Sequence, residues 1–115
     1  MDDDRIRDFE AMLKAARDAL AAEEAATAAD RAPVELDQQS VGRLSRRDAL
    51  QVQAMALEQS RRRATELRRI EAALGRIASG DYGFCLECGE EIPEKRLRLD
   101  PTAPFCVDCA GMRRG

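Results

Sequence analysis

The chain is 115 residues long, with 36% charged residues, 3% aromatic residues, no Trp and a formal net charge of −3. So few aromatics exclude a large globular core, and a weakly acidic chain has no general attraction for the nucleic-acid backbone, which argues against sequence-specific DNA binding. Ala, Leu, Arg and Glu dominate, the composition of long helices. The apolar runs are far shorter than the roughly 20 residues a membrane-spanning helix needs. The acidic start, Met1-Asp2-Asp3-Asp4, is not that of a secretory signal, so the expected location is the cytoplasm. There is no His, no nucleophile–base pair and no Gly-rich phosphate loop, so an enzyme is not expected.

The charge is uneven. Residues 1–37 carry 11 acids and 5 bases, residues 38–80 carry 4 acids and 9 bases, and residues 81–115 carry 7 acids and 5 bases. An acidic first segment and a basic second one read as two helices facing each other.

Residues from about Asp3 to Ala29 read as the first helix. Ile6, Phe9, Leu13, Ala16 and Leu20 step by three and four, a heptad-like seam. The leading aspartates suit the positive end of the helix dipole. Pro33 forbids easy continuation and pushes Ala32 toward extended backbone. A turn is expected over about residues 30–45. A second helix follows to about Ser79, with Leu67, Ile70, Leu74 and Ile77 on its seam and Gly80 as its stop. Leu50, Ala54, Leu57 and Ala64 lie on a slightly different phase, which implies a seam shift near Ala64. Leu44 and Leu50 are expected in the core. Two starts are open for this helix: Asp37 as N-cap, or Ser45 through a Ser45–Asp48 capping box. Within the turn and beyond it, Arg43, Arg46 and Arg47 read as a solvated basic group. The basic run Arg61-Arg62-Arg63 and Arg68-Arg69 reads as solvated or paired with acids of the first helix. The fold class is therefore mainly α, a long antiparallel helical hairpin over residues 1–79 with a small C-terminal module over residues 80–115.

That module carries Cys85-x2-Cys88 and Cys106-x2-Cys109, separated by 17 residues. Two thiolates two residues apart bind one ion from a single tight turn, and two such pairs complete a tetrahedral four-sulfur shell. Gly89 is placed to supply the turn's unusual backbone angles. A closed shell leaves no position for water, so the expected ion is one structural zinc. Tyr82, Phe84 and Phe105 flank the cysteines and are expected to form the module's apolar shell. Lys95, Arg96 and Arg98 are expected to offset the site's negative charge.

The stretch Gly80-Asp81-Tyr82-Gly83-Phe84-Cys85-Leu86-Glu87-Cys88-Gly89, continued by Ile92-Pro93-Glu94-Lys95-Arg96-Leu97 and closed by Pro101-Thr102-Ala103-Pro104-Phe105-Cys106-Val107-Asp108-Cys109, resembles the DksA/TraR family of bacterial transcription regulators. The resemblance implies a factor that binds RNA polymerase directly, inserts a hairpin tip into the secondary channel and modulates initiation. It places the polymerase-contacting tip at Asp37, with Glu35, Ser40 and Arg43 as its neighbours. The tip departs from the family's best-known pattern of two aspartates three residues apart, and Asp37 is equally a helix cap. Only Ala110 to Gly115 follow the last cysteine, where longer members carry a final helix, which argues against dependence on guanosine tetraphosphate. The alternative reading is a zinc-stabilised adaptor for another protein, or a hairpin that dimerises through its seam.

Overall fold

The structure, a computed structural model, describes residues 1–33 and 43–114. Among them run five helices: α1 (Asp3–Ala26), α2 (Ala28–Arg31), α3 (Arg43–Ser79), α4 (Glu94–Leu99) and α5 (Val107–Arg114). The fold is mainly α, an antiparallel helical hairpin followed by a small four-cysteine finger. The described residues form no strand beyond an isolated antiparallel bridge between Phe84 and Glu91.

Local chemistry explains the helix ends. Asp2 caps α1, its Oδ1 accepting the Arg5 amide at 2.9 Å, and Asp3 and Asp4 occupy the first turn. The first helical stretch outruns the expected Ala29 but breaks at Thr27. There the hydroxyl donates to the Glu23 carbonyl at 2.9 Å, a bond that competes with regular helix and bends it. Ala32 is extended (φ −62°, ψ 150°) before Pro33, as that proline requires. α3 stops at Gly80, whose φ of +83° suits glycine. The Gly80 amide donates to the Ile77 carbonyl at 3.2 Å and the Asp81 amide to the Arg76 carbonyl at 2.8 Å, the paired bonds of a Schellman stop. α3 already includes Arg43, so Ser45 is interior and does not cap it; Asp37, the other candidate cap, lies outside the described residues.

The chain forms two compact units, one of Met1–Asp18 with Arg68–Gly115, the other of Ala19–Leu67. In the first, Phe9, Leu13, Ile70, Ala73, Tyr82, Ile92, Leu97 and Ala103 are buried. The Phe9 and Tyr82 rings meet at 5.7 Å between centroids, and the Arg98 guanidinium lies 5.3 Å from the Phe9 centroid, within cation–π range. Seam residues Phe9 and Leu13 are thus buried, whereas Ala16 is exposed.

In the second unit, Glu24 meets Ser60 and Arg63 while Ala32, further along the chain, meets Gln53, so the two helical strands run antiparallel. Here the expected seam is corrected. Leu50 and Leu57 are 47% and 43% exposed, and Ala54 and Ala64 are also exposed. The line of Ile77, Leu74, Ile70 and Leu67 continues without a shift into Arg63, Ser60, Ala56 and Gln53, all at least half-buried. An unbroken helix keeps its phase, so polar side chains occupy the seam wherever the sequence places them in that register. Arg63 pairs with Glu24 of α1 at 2.8 Å, whereas Arg61 and Arg62 pair with Glu58 of their own helix.

Candidate metal centre

Cys85 and Cys88 sit on a turn. The Cys85 amide donates to the Glu90 carbonyl at 2.8 Å, and the Gly89 amide returns to the Cys85 carbonyl at 2.9 Å. Gly89 has φ +78°, the left-handed conformation that the turn requires. Cys106 and Cys109 are mounted on a helix instead. The Cys106 carbonyl accepts the Ala110 amide at 2.9 Å as α5 begins, and Cys109 lies in the first turn of α5.

The two halves are tied by the Leu86 amide, which donates to the Pro104 carbonyl at 2.9 Å. Arg96 Nε donates to the Phe105 carbonyl at 3.0 Å, fixing the residue before Cys106. Arg113 lies 4.3 Å from the Phe105 ring centroid and pairs with Glu87 between the first two cysteines.

All four sulfurs lie within 4.8 Å of one another, and the Sγ atoms of Cys88 and Cys106 are 3.8 Å apart. A tetrahedral zinc with bonds of about 2.3 Å places its sulfurs about 3.8 Å apart. The donor set thus fits one structural zinc, with four soft thiolates and no open position.

The electrostatics of the cluster point to a cation. Burial opposes the Cys85 thiolate, but backbone amides of Cys88, Cys106 and Glu87 outweigh it and bring that thiol down to about 6. Hydrogen bonding to the Cys106 sulfur, followed by burial, pushes the Cys109 thiol up. Crowded sulfurs cannot all ionise alone; a divalent ion removes that conflict, coupling metal binding to thiol deprotonation.

The apolar shell differs from expectation. Tyr82 is buried, but Phe84 is 41% exposed, and Ile92, Leu97 and Ala103 fill the interior instead. The Phe84 backbone bridges Glu91, and its side chain is exposed although Tyr82 and Cys85 on either side are buried. Of the cations between the two pairs, Arg98 is held by Glu94 at 2.8 Å, and Arg96 donates to the carbonyl of Phe105, the residue before Cys106.

Sequence reasoning missed the support beneath the second pair. Asp100 Oδ1 accepts the Thr102 amide at 3.2 Å and hydroxyl at 2.8 Å. Its Oδ2 accepts from Arg69 at 3.1 Å. The Tyr82 hydroxyl donates to the Pro101 carbonyl at 2.8 Å, and Arg76 donates to the Thr102 carbonyl at 3.4 Å. The Asp100-Pro101-Thr102 run signals a side-chain-bonded turn; its three partners are far away in sequence and carry no local signal. Of the expected tip residues, Glu35, Asp37 and Ser40 lie outside the described residues, and Arg43 is described only as the first residue of α3.

Fold and site together define a four-cysteine zinc finger joined to a helical hairpin. The family model for the prokaryotic dksA/traR C4-type zinc finger matches residues 80–112. The RNA polymerase-binding transcription factor DksA of Haemophilus influenzae is 46% identical over 43 residues, 37% of this chain and 30% of that protein. The match thus spans under a third of the length of the curated relatives. The structure of transcription factor DksA2 from Pseudomonas aeruginosa aligns with a TM-score of 0.83 and 30% identity, over 99% of this chain and 86% of that one. The solution structure of a DnaK suppressor protein from Agrobacterium tumefaciens aligns with a TM-score of 0.55 and 29% identity, over 93% and 92%. The chain belongs to the DksA/TraR family of C4-type zinc-finger proteins.

Proposed function

We propose that this protein is a transcription regulator that binds RNA polymerase directly. Its hairpin enters the secondary channel and modulates initiation, and the finger at residues 80–115 holds a structural zinc through Cys85, Cys88, Cys106 and Cys109. The likeness to DksA2 along nearly the whole chain carries this reading, because it extends beyond the finger to both long helices. In this reading Asp37 is the acid at the hairpin's tip, with Glu35, Ser40 and Arg43 beside it. The protein acts in the cytoplasm without sequence-specific contact to DNA. No described helix is long and apolar enough to cross a membrane.

The test is binding of the zinc-loaded protein to core RNA polymerase, with a known secondary-channel factor as competitor. Competitive binding is expected. Binding that the competitor leaves untouched, or no binding at all, rejects the channel. Asp37→Asn is then expected to weaken the transcriptional effect while polymerase affinity holds. A parallel loss of both reassigns Asp37 to folding or docking.

A second reading, an adaptor or self-associating hairpin, draws on the exposure of Leu50, Val52, Met55 and Leu57 along α3. Such apolar surface favours a protein partner. A concentration-dependent dimer in sedimentation, with no polymerase binding, would favour it.

A further inference from the structure

The two compact units differ in what holds them together. The unit of Met1–Asp18 with Arg68–Gly115 contains nine of the ten buried hydrophobic residues found among the described residues, whereas Ala19–Leu67 contains only Ala56. A helix pair with so little apolar burial cannot derive much stability from the hydrophobic effect.

Instead, its seam holds a polar cluster centred on Glu24. Glu24 Oε2 accepts the Ser60 hydroxyl at 2.6 Å. Glu24 Oε1 accepts Arg63 Nε and a terminal nitrogen at 3.0 and 2.8 Å, and Arg31 lies 3.2 Å from the same oxygen. The Thr27 hydroxyl accepts from Arg31 at 2.8 Å and from Arg63 at 3.1 Å, and Gln53 donates to the Ala32 carbonyl at 2.9 Å. The Arg63 side chain is only 11% exposed and that of Arg31 19%, while the Glu24 side chain they share is 36% exposed and so open to solvent and salt. Hydrogen bonds from Ser60 and Arg63 hold the Glu24 carboxyl below the usual carboxylate range.

Charged groups in a helical seam set register and orientation but stabilise less than apolar ones of the same size. The helix break at Thr27 lies within the same cluster and weakens the backbone there.

We infer that the helix pair of residues 19–31 and 46–67 opens and closes as its own cooperative unit, latched in register by the Glu24 cluster, while the unit that carries the cysteines stays folded. Opening needs no metal release, and added salt promotes it, because screening acts on the latch and leaves the apolar core untouched.

The experiment is amide hydrogen exchange on the full zinc-loaded chain. Amides of residues 20–26 and 53–67 are expected to exchange at least about tenfold faster than those of residues 70–77, and faster again in high salt. Glu24→Ala is expected to raise the first group by a further factor of about ten and leave the second group unchanged. The combined variant Glu24→Leu with Arg63→Leu is expected to slow exchange in the first group, because apolar residues then fill the seam. Equal protection of the two groups, a Glu24→Ala effect shared by both, or a Leu pair that speeds exchange would each overturn the inference.

Discussion

The two cysteine pairs present the same two thiolates at the same spacing, yet they are held in different ways. Cys85 and Cys88 depend on their own turn: the Glu90 and Cys85 carbonyls and the left-handed Gly89 all lie within six residues. Cys106 and Cys109 depend on a platform assembled from distant chain, with Arg69, Arg76 and Tyr82 gripping residues 100–102 and Arg96 gripping residue 105. The first pair is encoded locally and the second by tertiary packing. A zinc ion held by all four cysteines joins the turn to the platform, so damage to either half is expected to weaken the metal for a different reason.

The largest expected effect comes from Cys88→Ser, which removes a ligand from the first pair. Structural zinc in small modules contributes roughly 10–16 kcal/mol of binding free energy. Metal analysis should therefore fall from one tightly held zinc to none, with the finger unfolding. One zinc retained together with an unchanged circular dichroism spectrum would refute the four-thiolate site.

Gly89→Ala is expected to be milder. Beyond its own chain neighbours, no atom lies within 4 Å of the added methyl, so the cost is the left-handed backbone alone, about 1–2 kcal/mol. It should speed zinc release to a chelator while the loop at residues 100–105 keeps its amide protection. If that loop loses protection too, the pairs are not separately supported.

The smallest expected effect is that of Tyr82→Phe, which acts on the platform and deprives the Pro101 carbonyl of its donor. About 1 kcal/mol is at stake, read as a lower urea midpoint with zinc content unchanged at neutral pH. Burial pushes the Tyr82 phenol up to about 12, from an ordinary value of 10.0. A group raised on folding contributes stability below its unfolded pKa and loses it as pH rises through the folded one. The wild-type protein should therefore lose stability between pH 10 and about 12, and Tyr82→Phe should lack that component of the decline. Identical profiles would place the phenol outside the core.

Much of this was legible from local pattern. The zinc spacing, Gly89, the Gly80 stop and the Pro33 boundary are written in residues whose backbone demands are nearly independent of context. Phe9, Leu13 and Ile70 announce a core because apolar residues at helical spacing leave water wherever a partner is available. The same rule misplaced Leu50 and Leu57, since it let apolar residues shift the phase of the seam. The continuous α3 helix carries the Ile70 register onward to Ser60 and Arg63. Likewise Phe84 reads as a core aromatic, yet its side chain is 41% exposed.

Local chemistry thus dictates which residues are able to bind metal, where the helices stop and that the protein is mainly helical, because each depends on neighbours only a few positions away. Tertiary structure alone decides which face of α3 meets α1, what supports Cys106 and Cys109, and that Glu24, Arg31 and Arg63 share a seam. Those outcomes depend on groups 30 to 40 residues apart finding hydrogen-bonding partners, and no short-range pattern carries that information.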